Sequence, residues 1–270
     1  MGEEGLIKAA AILSRSTRTV ASCGAGVSAE SGIATFRDVG GIWDRIDPME
    51  VGTPDGLIRT LQRDAGKLLP LFMEILDSFE GAEPNRGHFA LADLEKMGVL
   101  KTVITQNADN LHQEAGSTDV IEVHGNVFRM KCLACNTVTS YDRKPLIGRV
   151  RETINSLSEY TINSLMSIAP RCSVCGFITR PDVVMFGEAV QNLPRALKCS
   201  AECDVMLVLG TSGVVYPAAA FPMEAKKAGS QVIVINPTEN AFSSVSDVYI
   251  PMRTGEALPR IVELIKGKTH

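Results

Sequence analysis

The chain has no run of the roughly 20 consecutive apolar residues that a membrane span needs. It also shows no internal repeat and no low-complexity tract. Basic excess is missing too: 27 Lys and Arg stand against 31 Asp and Glu, a formal net charge of -4. These absences exclude a helical membrane protein and a repeat array, and they argue against nucleic acid as a direct ligand, since phosphate-backbone binding rests on clustered Lys and Arg. Residues 1–17, "MGEEGLIKAAAILSRST", are acidic before they are apolar, against the pattern of a signal peptide. A disulfide framework is not indicated either. The seven cysteines are odd in number and include two CxxC pairs, which reads as metal ligation in a reducing compartment. The expectation is a cytoplasmic protein.

What remains is a chain of 270 residues with 45% hydrophobic and 21% charged residues. That length suits one large domain, or one domain with a smaller insertion. Four apolar, β-branched runs end in small or polar residues: "RTVASCGAG", "KTVITQN", "DVMLVLGTS" and "QVIVINPTEN". Each reads as a buried parallel strand with its functional end at the C-terminus. "DVIEVHGN" adds a fifth strand and "DVYIPM" a short sixth. Helical segments such as "GHFALADLEKMG" and "YPAAAFPMEAKKAG" lie between them, and the alternation predicts a doubly wound, Rossmann-like α/β sheet. Two regions break the rhythm. Residues 38–86 read as a cover of loops and helices, and residues 128–181 hold all four CxxC cysteines. The expected division is therefore 1–37, 87–127 and 182–270 as the sheet domain, 38–86 as a loop and helical module, and 128–181 as a zinc-ribbon-like and helical insertion.

Cys132, Cys135, Cys172 and Cys175 form two thiolate knuckles able to close a tetrahedral zinc site with no open position. The 36 residues between the pairs exceed the roughly 15–20 of a compact ribbon, so the helix-periodic "RKPLIGRVRETINSLSEYTINSLM" reads as an insertion. With four sulfurs present, His124 in "HGNVFRMKCLAC" is not needed as a ligand. It stands at a strand end on the same edge as Gly24, Asn107 and Ser212, as a candidate general base.

Gly24-Ala25-Gly26-Val27-Ser28-Ala29 has the G-x-G-x-x-A form of a dinucleotide turn after a strand, and equally that of a plain β-to-α turn. The acidic residue that usually ends a second strand is missing. A dinucleotide would then be held by a long loop carrying Phe36 and Arg37. Gln106, Asn107 and Asp109 follow a strand end, where they can hold a carboxamide or cap the next helix. Gly210, Thr211, Ser212 and Asn236 complete the edge with donors for phosphate or ribose. His88, His112, Cys199 and Cys203 read as structural.

Taken together, "GAGVSAESGIATFR", "TQNADNLHQEAG", "HGN", the two CxxC pairs, "RPDVVMFGE", "GTSGVVYPAA" and "VIVIN" resemble, in order and over most of the chain, the sirtuins, NAD-dependent protein lysine deacylases. The resemblance implies a Rossmann-like large domain, a small zinc and helical domain, and a cleft between them for NAD and an acylated lysine. It implies that Gly24, Ala25, Gly26, Ser28, Ala29, Phe36 and Arg37 belong to the cofactor loop. Gln106, Asn107 and Asp109 then line the nicotinamide side, Gly210, Thr211 and Ser212 lie near phosphate and ribose, Asn236 near the adenosine ribose and Thr254 by the adenine. Val184, Phe186, Gly187 and Glu188, with Gly213, Val214 and Val215, would sandwich the substrate peptide as an added strand. The acyl oxygen would attack C1′ of the nicotinamide ribose, with His124 as base on a ribose hydroxyl, while the four cysteines hold one structural zinc away from the chemistry.

Departures from the commonest pattern fall at Cys23, Ala108, Asn126 and Gly213 and bear on NAD affinity. Gly213 with "VVYPAA", and "TPDG", resemble a subgroup that includes desuccinylases. Those enzymes carry a Tyr-x-x-Arg pair on the following helix, and "GKLLPLFMEILDSF" has neither residue. Leu68, Leu69, Leu71, Phe72, Met73 and Ile75 stand there instead, with Arg59 and Arg63 upstream as surrogates, so acetyl and longer neutral acyl groups are expected and succinyl is not. Two other readings stay open, a protein ADP-ribosyltransferase or NAD hydrolase on the same scaffold, and a non-catalytic NAD-binding module. The expected partner is an acylated-lysine protein or peptide, and the expected state is a monomer.

Overall fold

The computed structural model describes residues 2–35, 41–161, 163–164, 166 and 169–267. Contacts divide it into two compact units, one of residues 1–31, 83–124 and 190–270 and one of residues 32–82 and 125–189.

The first unit is built on a six-stranded sheet of β1 (Thr19–Cys23), β2 (Leu100–Thr105), β3 (Val120–Glu122), β7 (Val205–Leu209), β8 (Gln231–Ile235) and β9 (Val248–Ile250), in the order β3-β2-β1-β7-β8-β9. Every neighbouring pair is parallel. Such strands are covered on both faces, which is why they are continuous apolar runs rather than alternating ones. Side chains still alternate between the faces. Leu207, Leu209, Ile233 and Ile235 join one core with Leu6, Leu91, Leu94, Leu258 and Ile261, which come from helices α1 (Gly2–Leu13), α5 (Arg86–Lys96) and α10 (Thr254–Lys266). Met206, Val208, Val232 and Val234 join the other with Ala196 and Phe221 from α8 (Leu193–Glu202) and α9 (Phe221–Lys227).

Strand order reverses between β1 and β7, so their C-terminal ends flank a topological switch point, where open α/β sheets bind ligands. Register pairs Cys23 with Leu209, which places the next residues, Gly24 and Gly210, side by side.

The second unit holds the three-stranded antiparallel sheet of β4 (Gly125–Cys132), β5 (Val138–Ser140) and β6 (Thr179–Val183), in the order β5-β4-β6. Pro181 is tolerated because β6 is an edge strand. Helices α2 (Ile42–Arg45), α3 (Pro48–Val51), α4 (Pro54–Gly81) and α7 (Arg143–Asn155) belong to the same unit. Asp64, at φ -164° and ψ 87°, interrupts α4. The region expected to be a cover of loops and helices is largely helical where described. Phe79 of α4 meets Phe128 of β4 edge-on at 5.9 Å beside Leu146 and Ile147 of α7. Arg151 of α7 bridges Asp77 and Glu80 of α4 at 2.7 and 2.6 Å.

Candidate functional site

The switch point is a place where backbone packs on backbone. Gly24 N–H donates to Leu209 O at 3.0 Å, and Gly26 N–H donates to Gly210 O at 2.8 Å. A Cβ on Gly26 would stand 2.8 Å from Gly210 Cα, and one on Gly24 2.7 Å from Thr211 Cβ. Gly210 adds a positive φ of 54°. The glycines therefore let the loops after β1 and β7 meet with their polar groups exposed on one edge. Gln106 Nε2 donates to Thr211 Oγ1 at 3.4 Å, bringing the loop after β2 to the same place. Asn240 Nδ2 donates to Thr211 O at 2.8 Å. Asn236, at the end of β8, is buried and donates through Nδ2 to Thr238 O at 2.6 Å.

Behind this edge lies a buried polar network. Ser28 Oγ donates to Asp109 Oδ2 at 2.6 Å and accepts from Asn107 Nδ2 at 3.0 Å. Asn107 also donates to Gly24 O at 3.1 Å, and Asp109 Oδ1 accepts Leu111 N–H at 3.0 Å. Asp109 thus holds Ser28 and accepts the first N–H of the one-turn helix α6 (Leu111–Glu114), whose N-cap is Asn110. His88 Nδ1 accepts Asn85 N–H at 3.3 Å, which leaves the ring proton on Nε2, 3.4 Å from Ser28 Oγ. The chain of donors runs from His88 through Ser28 to the Asp109 carboxylate. His88, read from sequence as structural, is therefore part of the network. Its Asn-x-x-His capping-box spacing with Asn85 was the available signal.

His112 packs its ring edge-on to His88 at 4.9 Å. Neither of its ring nitrogens has a hydrogen-bond partner among the described residues, and the same holds for Ser117 Oγ. Burial pushes His112 down to about 4. Burial also pushes His88 down to about 3, the neighbouring His112 adding to it and Asp109 opposing. Burial raises the Cys23 thiol, with Asp109 adding, so Cys23 is inert packing at the end of β1.

His124, just past β3, differs from that pair. Its side chain is only partly buried, and Nδ1 lies 3.1 Å from the backbone carbonyl of Gln106. Donation of Nδ1–H to that carbonyl fixes the tautomer and leaves the lone pair on Nε2. Burial lowers its pKa and the Gln106 carbonyl opposes, so the imidazole is neutral near pH 7. A neutral, oriented imidazole is equipped to take a proton.

Elsewhere on the first unit, Thr254 is buried at the start of α10, Ala25 is half-buried, Ala29 and Ser212 are exposed, and Gly213 (φ 76°), Val214 and Val215 continue the loop after β7 with Val214 exposed. In the second unit, Val184, Phe186, Gly187 and Glu188 follow β6. Phe186 and Gly187 lie in a turn, with Phe186 N–H donating to Gly52 O at 2.8 Å and Glu188 N–H to Met185 O at 3.0 Å. Trp43 lies 5.9 Å from the Phe186 ring. Phe36 and Arg37 lie outside the described residues.

The four CxxC sulfurs converge within 4.8 Å of one another, two buried and two exposed. Sγ–Sγ separations are 3.5 Å for Cys132–Cys175, 3.6 Å for Cys135–Cys172 and 3.5 Å for Cys135–Cys175. A tetrahedron with Zn–S bonds of about 2.3 Å has edges of about 3.8 Å. Backbone N–H groups of Ala134 and Val174 point at the Cys132 and Cys172 sulfurs at 3.4 Å, which supports thiolate charge. The donor set fits one structural zinc.

Also within the second unit, a cavity of about 370 Å³ is lined by the apolar side chains of Ile46, Leu68, Pro70 and Leu71. Arg45, Asp47, Glu50 and Glu74 line it too, with Arg45 paired to Glu74 at 2.8 Å. Leu68 and Leu71 of the expected acyl wall line it, whereas Phe72 is exposed.

A model describing the Sir2 family matches residues 24–217. A relative from Desulfosudis oleivorans, an NAD-dependent protein deacylase, is 54% identical over 264 residues, which are 98% of this chain and 97% of the relative. A solved Sir2 homologue in complex with NAD is 35% identical with a TM-score of 0.79, covering 97% of this chain and 94% of its own. Sir2Af2 bound to a myristoylated histone peptide is 35% identical with a TM-score of 0.73, covering 99% and 98%.

The metal site is tested by metal analysis: wild type should carry about one zinc per chain, and Cys172→Ala should lose it and melt lower, because ligand binding energy in such sites is folding energy. Retained zinc with an unchanged melting temperature would show the four-cysteine site to be wrong. A second expectation concerns acid. His88 and His112 titrate near 6.5 when unfolded and about 3 and 4 when folded, so between these values the unfolded chain binds more protons. Stability is therefore lost as pH falls from about 6.5 towards 4, by about 1.4 kcal/mol per pH unit for each histidine, and is flat in this respect above pH 7. Denaturant unfolding between pH 7 and pH 5 should show a shallower loss in His112→Leu than in wild type, and parallel slopes would contradict the assignment.

Proposed function

The chain belongs to the Sir2 family, and from that membership we propose the part each site residue takes in NAD-dependent removal of acyl groups from protein lysines. The enzyme is an NAD-dependent protein lysine deacylase, yielding nicotinamide, O-acyl-ADP-ribose and free lysine. NAD is its second substrate. In our reading Gly24, Ala25, Gly26, Ser28 and Ala29 face NAD from the loop after β1, and Phe36 and Arg37, outside the described residues, take the cofactor role that family membership implies. Gln106, Asn107 and Asp109 hold the nicotinamide side, Gly210, Thr211 and Ser212 the phosphate and ribose, Asn236 the adenosine ribose and Thr254 the adenine. Val184, Phe186, Gly187, Glu188, Gly213, Val214 and Val215 meet the acylated peptide. Cys132, Cys135, Cys172 and Cys175 would hold one zinc as an all-thiolate structural site, whose binding would stabilise the fold around them.

The observation that carries the catalytic part is the tautomer of His124. With Nδ1–H committed to the Gln106 carbonyl, Nε2 is the atom that accepts a proton from a ribose hydroxyl. Asp109 accepts from Ser28 Oγ and from Leu111 N–H, and in our reading it orients hydrogen-bond donors of the substrate. Cytoplasmic location, a monomeric state and the lack of nucleic-acid contact belong to the same reading. Among the described residues no helix is long and apolar enough to cross a membrane, and the net charge of -4 does not favour nucleic acid.

For acyl choice, the apolar lining residues Ile46, Leu68, Pro70 and Leu71 support neutral chains, each buried methylene contributing about 0.8 kcal/mol. The lining bears three carboxylates, of which Glu74 pairs with Arg45 at 2.8 Å and Glu50 with Arg63 at 3.3 Å. A succinyl carboxylate would add a fourth negative charge.

His124→Ala should keep fold and zinc while losing at least about 10²-fold in deacylation, the usual worth of a general base. The acid limb of wild-type kcat/KM should lie below pH 6.5, since burial lowers this pKa. Near-wild-type turnover in the folded variant would refute the assignment. On one peptide carrying different acyl groups, kcat/KM for acetyl and longer neutral acyl-lysine should exceed that for succinyl-lysine. The reverse order would overturn the acyl reading and direct attention to Arg45, Arg59 and Arg63.

A further inference from the structure

Residues 25–31, two consecutive 3-10 turns, are small or polar apart from Val27 and are held mainly from outside. Asn85 Nδ2 donates to Val27 O at 2.8 Å and to Ser31 Oγ at 2.9 Å, while its Oδ1 accepts Gly87 N–H at 2.9 Å as the N-cap of α5. Glu30 reaches a second helix. Its carboxylate accepts Gly255 N–H at 2.8 Å, in the first turn of α10, where the N-cap residue Arg253 supplies no side-chain cap.

The approach is tight at both glycines. A Cβ at Gly255 would stand 2.8 and 3.0 Å from the Glu30 oxygens, and one at Gly87 3.1 Å from Thr254 Cγ2 and 3.2 Å from Gly255 N. Two helix N-termini therefore converge on one turn, and the partial positive charge at the start of α10 favours the Glu30 carboxylate.

We infer that Asn85 and Glu30 are positioning residues for NAD, holding the 25–31 turn in its binding geometry before NAD arrives. The inference rests on the reading above that this turn faces NAD. Neither residue touches the reacting atoms in that reading. A turn ordered in advance loses little conformational freedom on binding, whereas a loosened one must be ordered at the expense of affinity. The effect of losing a pin therefore falls on NAD binding and not on the chemical step.

The test is calorimetric titration of NAD into wild type, Asn85→Asp, Glu30→Ala and Glu30→Gln, alongside kcat, KM and melting temperature. Asn85→Asp keeps the oxygen that caps Gly87 N–H but has no N–H for Val27 O. Glu30→Gln keeps an acceptor for Gly255 N–H. Asn85→Asp and Glu30→Ala should each weaken NAD binding on the order of five- to tenfold, the worth of a hydrogen bond or two, with kcat and peptide KM within about twofold of wild type. Glu30→Gln should restore binding to near the wild-type level. A purely structural role would lower the melting temperature and leave the NAD Kd unchanged. Wild-type binding with an unchanged Kd in both damaging variants overturns this inference and leaves the NAD site standing. No NAD binding by wild type removes the site reading, and this inference with it.

Discussion

Everything at the sheet edge depends on the contact of Gly24 and Gly26 with Gly210, where two loops approach until main chain meets main chain. Two N–H groups find carbonyls across the gap, at 3.0 and 2.8 Å, and no side chain larger than hydrogen fits. Because the strand order reverses here, the loop after β1 and the loop after β7 would otherwise diverge over opposite halves of the sheet. Their contact instead makes a continuous polar rim. Thr211 is fixed by it, Gln106 bonds Thr211, and the Gln106 carbonyl sets the ring of His124. The ring of His124 is oriented at this same edge, by the carbonyl of Gln106, whose own N–H donates to Cys23 O at 3.0 Å.

Electrostatics separates the three described histidines of the first unit, His88, His112 and His124, by their depth. His88 and His112 are enclosed and held neutral well into the acid range. One of them donates into the network that steadies the Asp109 carboxylate, the other packs against it. His124 keeps access to its surroundings and a backbone acceptor on the far nitrogen, which leaves the near one basic. The same residue type serves as spacer, as donor and, in the function proposed above, as base, and burial with one hydrogen bond separates the three.

The strands were legible because a parallel sheet, buried on both faces, demands runs such as "VMLVL" and "QVIVI" that little else in a soluble chain requires. The cysteine pairs were legible because thiolate ligation imposes the x2 spacing itself. His124 was legible as a strand-end residue, but its tautomer was not, since it depends on a carbonyl 18 residues away. Asn85 and Glu30 left only local traces: a capping-box spacing for one and none for the other, whose partner Gly255 is 225 residues distant. The interruption of α4 at Asp64 has no glycine or proline at that position to announce it. The hydrogen bond of His88 to Ser28 was not legible, because a buried histidine on an apolar helix face looks the same in sequence whether or not it donates to a serine across the core.

The account stands or falls on the fate of the acyl group. Incubated with NAD and one acetylated lysine peptide, the enzyme should release nicotinamide, free lysine peptide and O-acetyl-ADP-ribose in equal amounts, as quantified by mass spectrometry. Nicotinamide released with the acetyl-lysine intact, accompanied by free ADP-ribose or ADP-ribosylated protein, would contradict it.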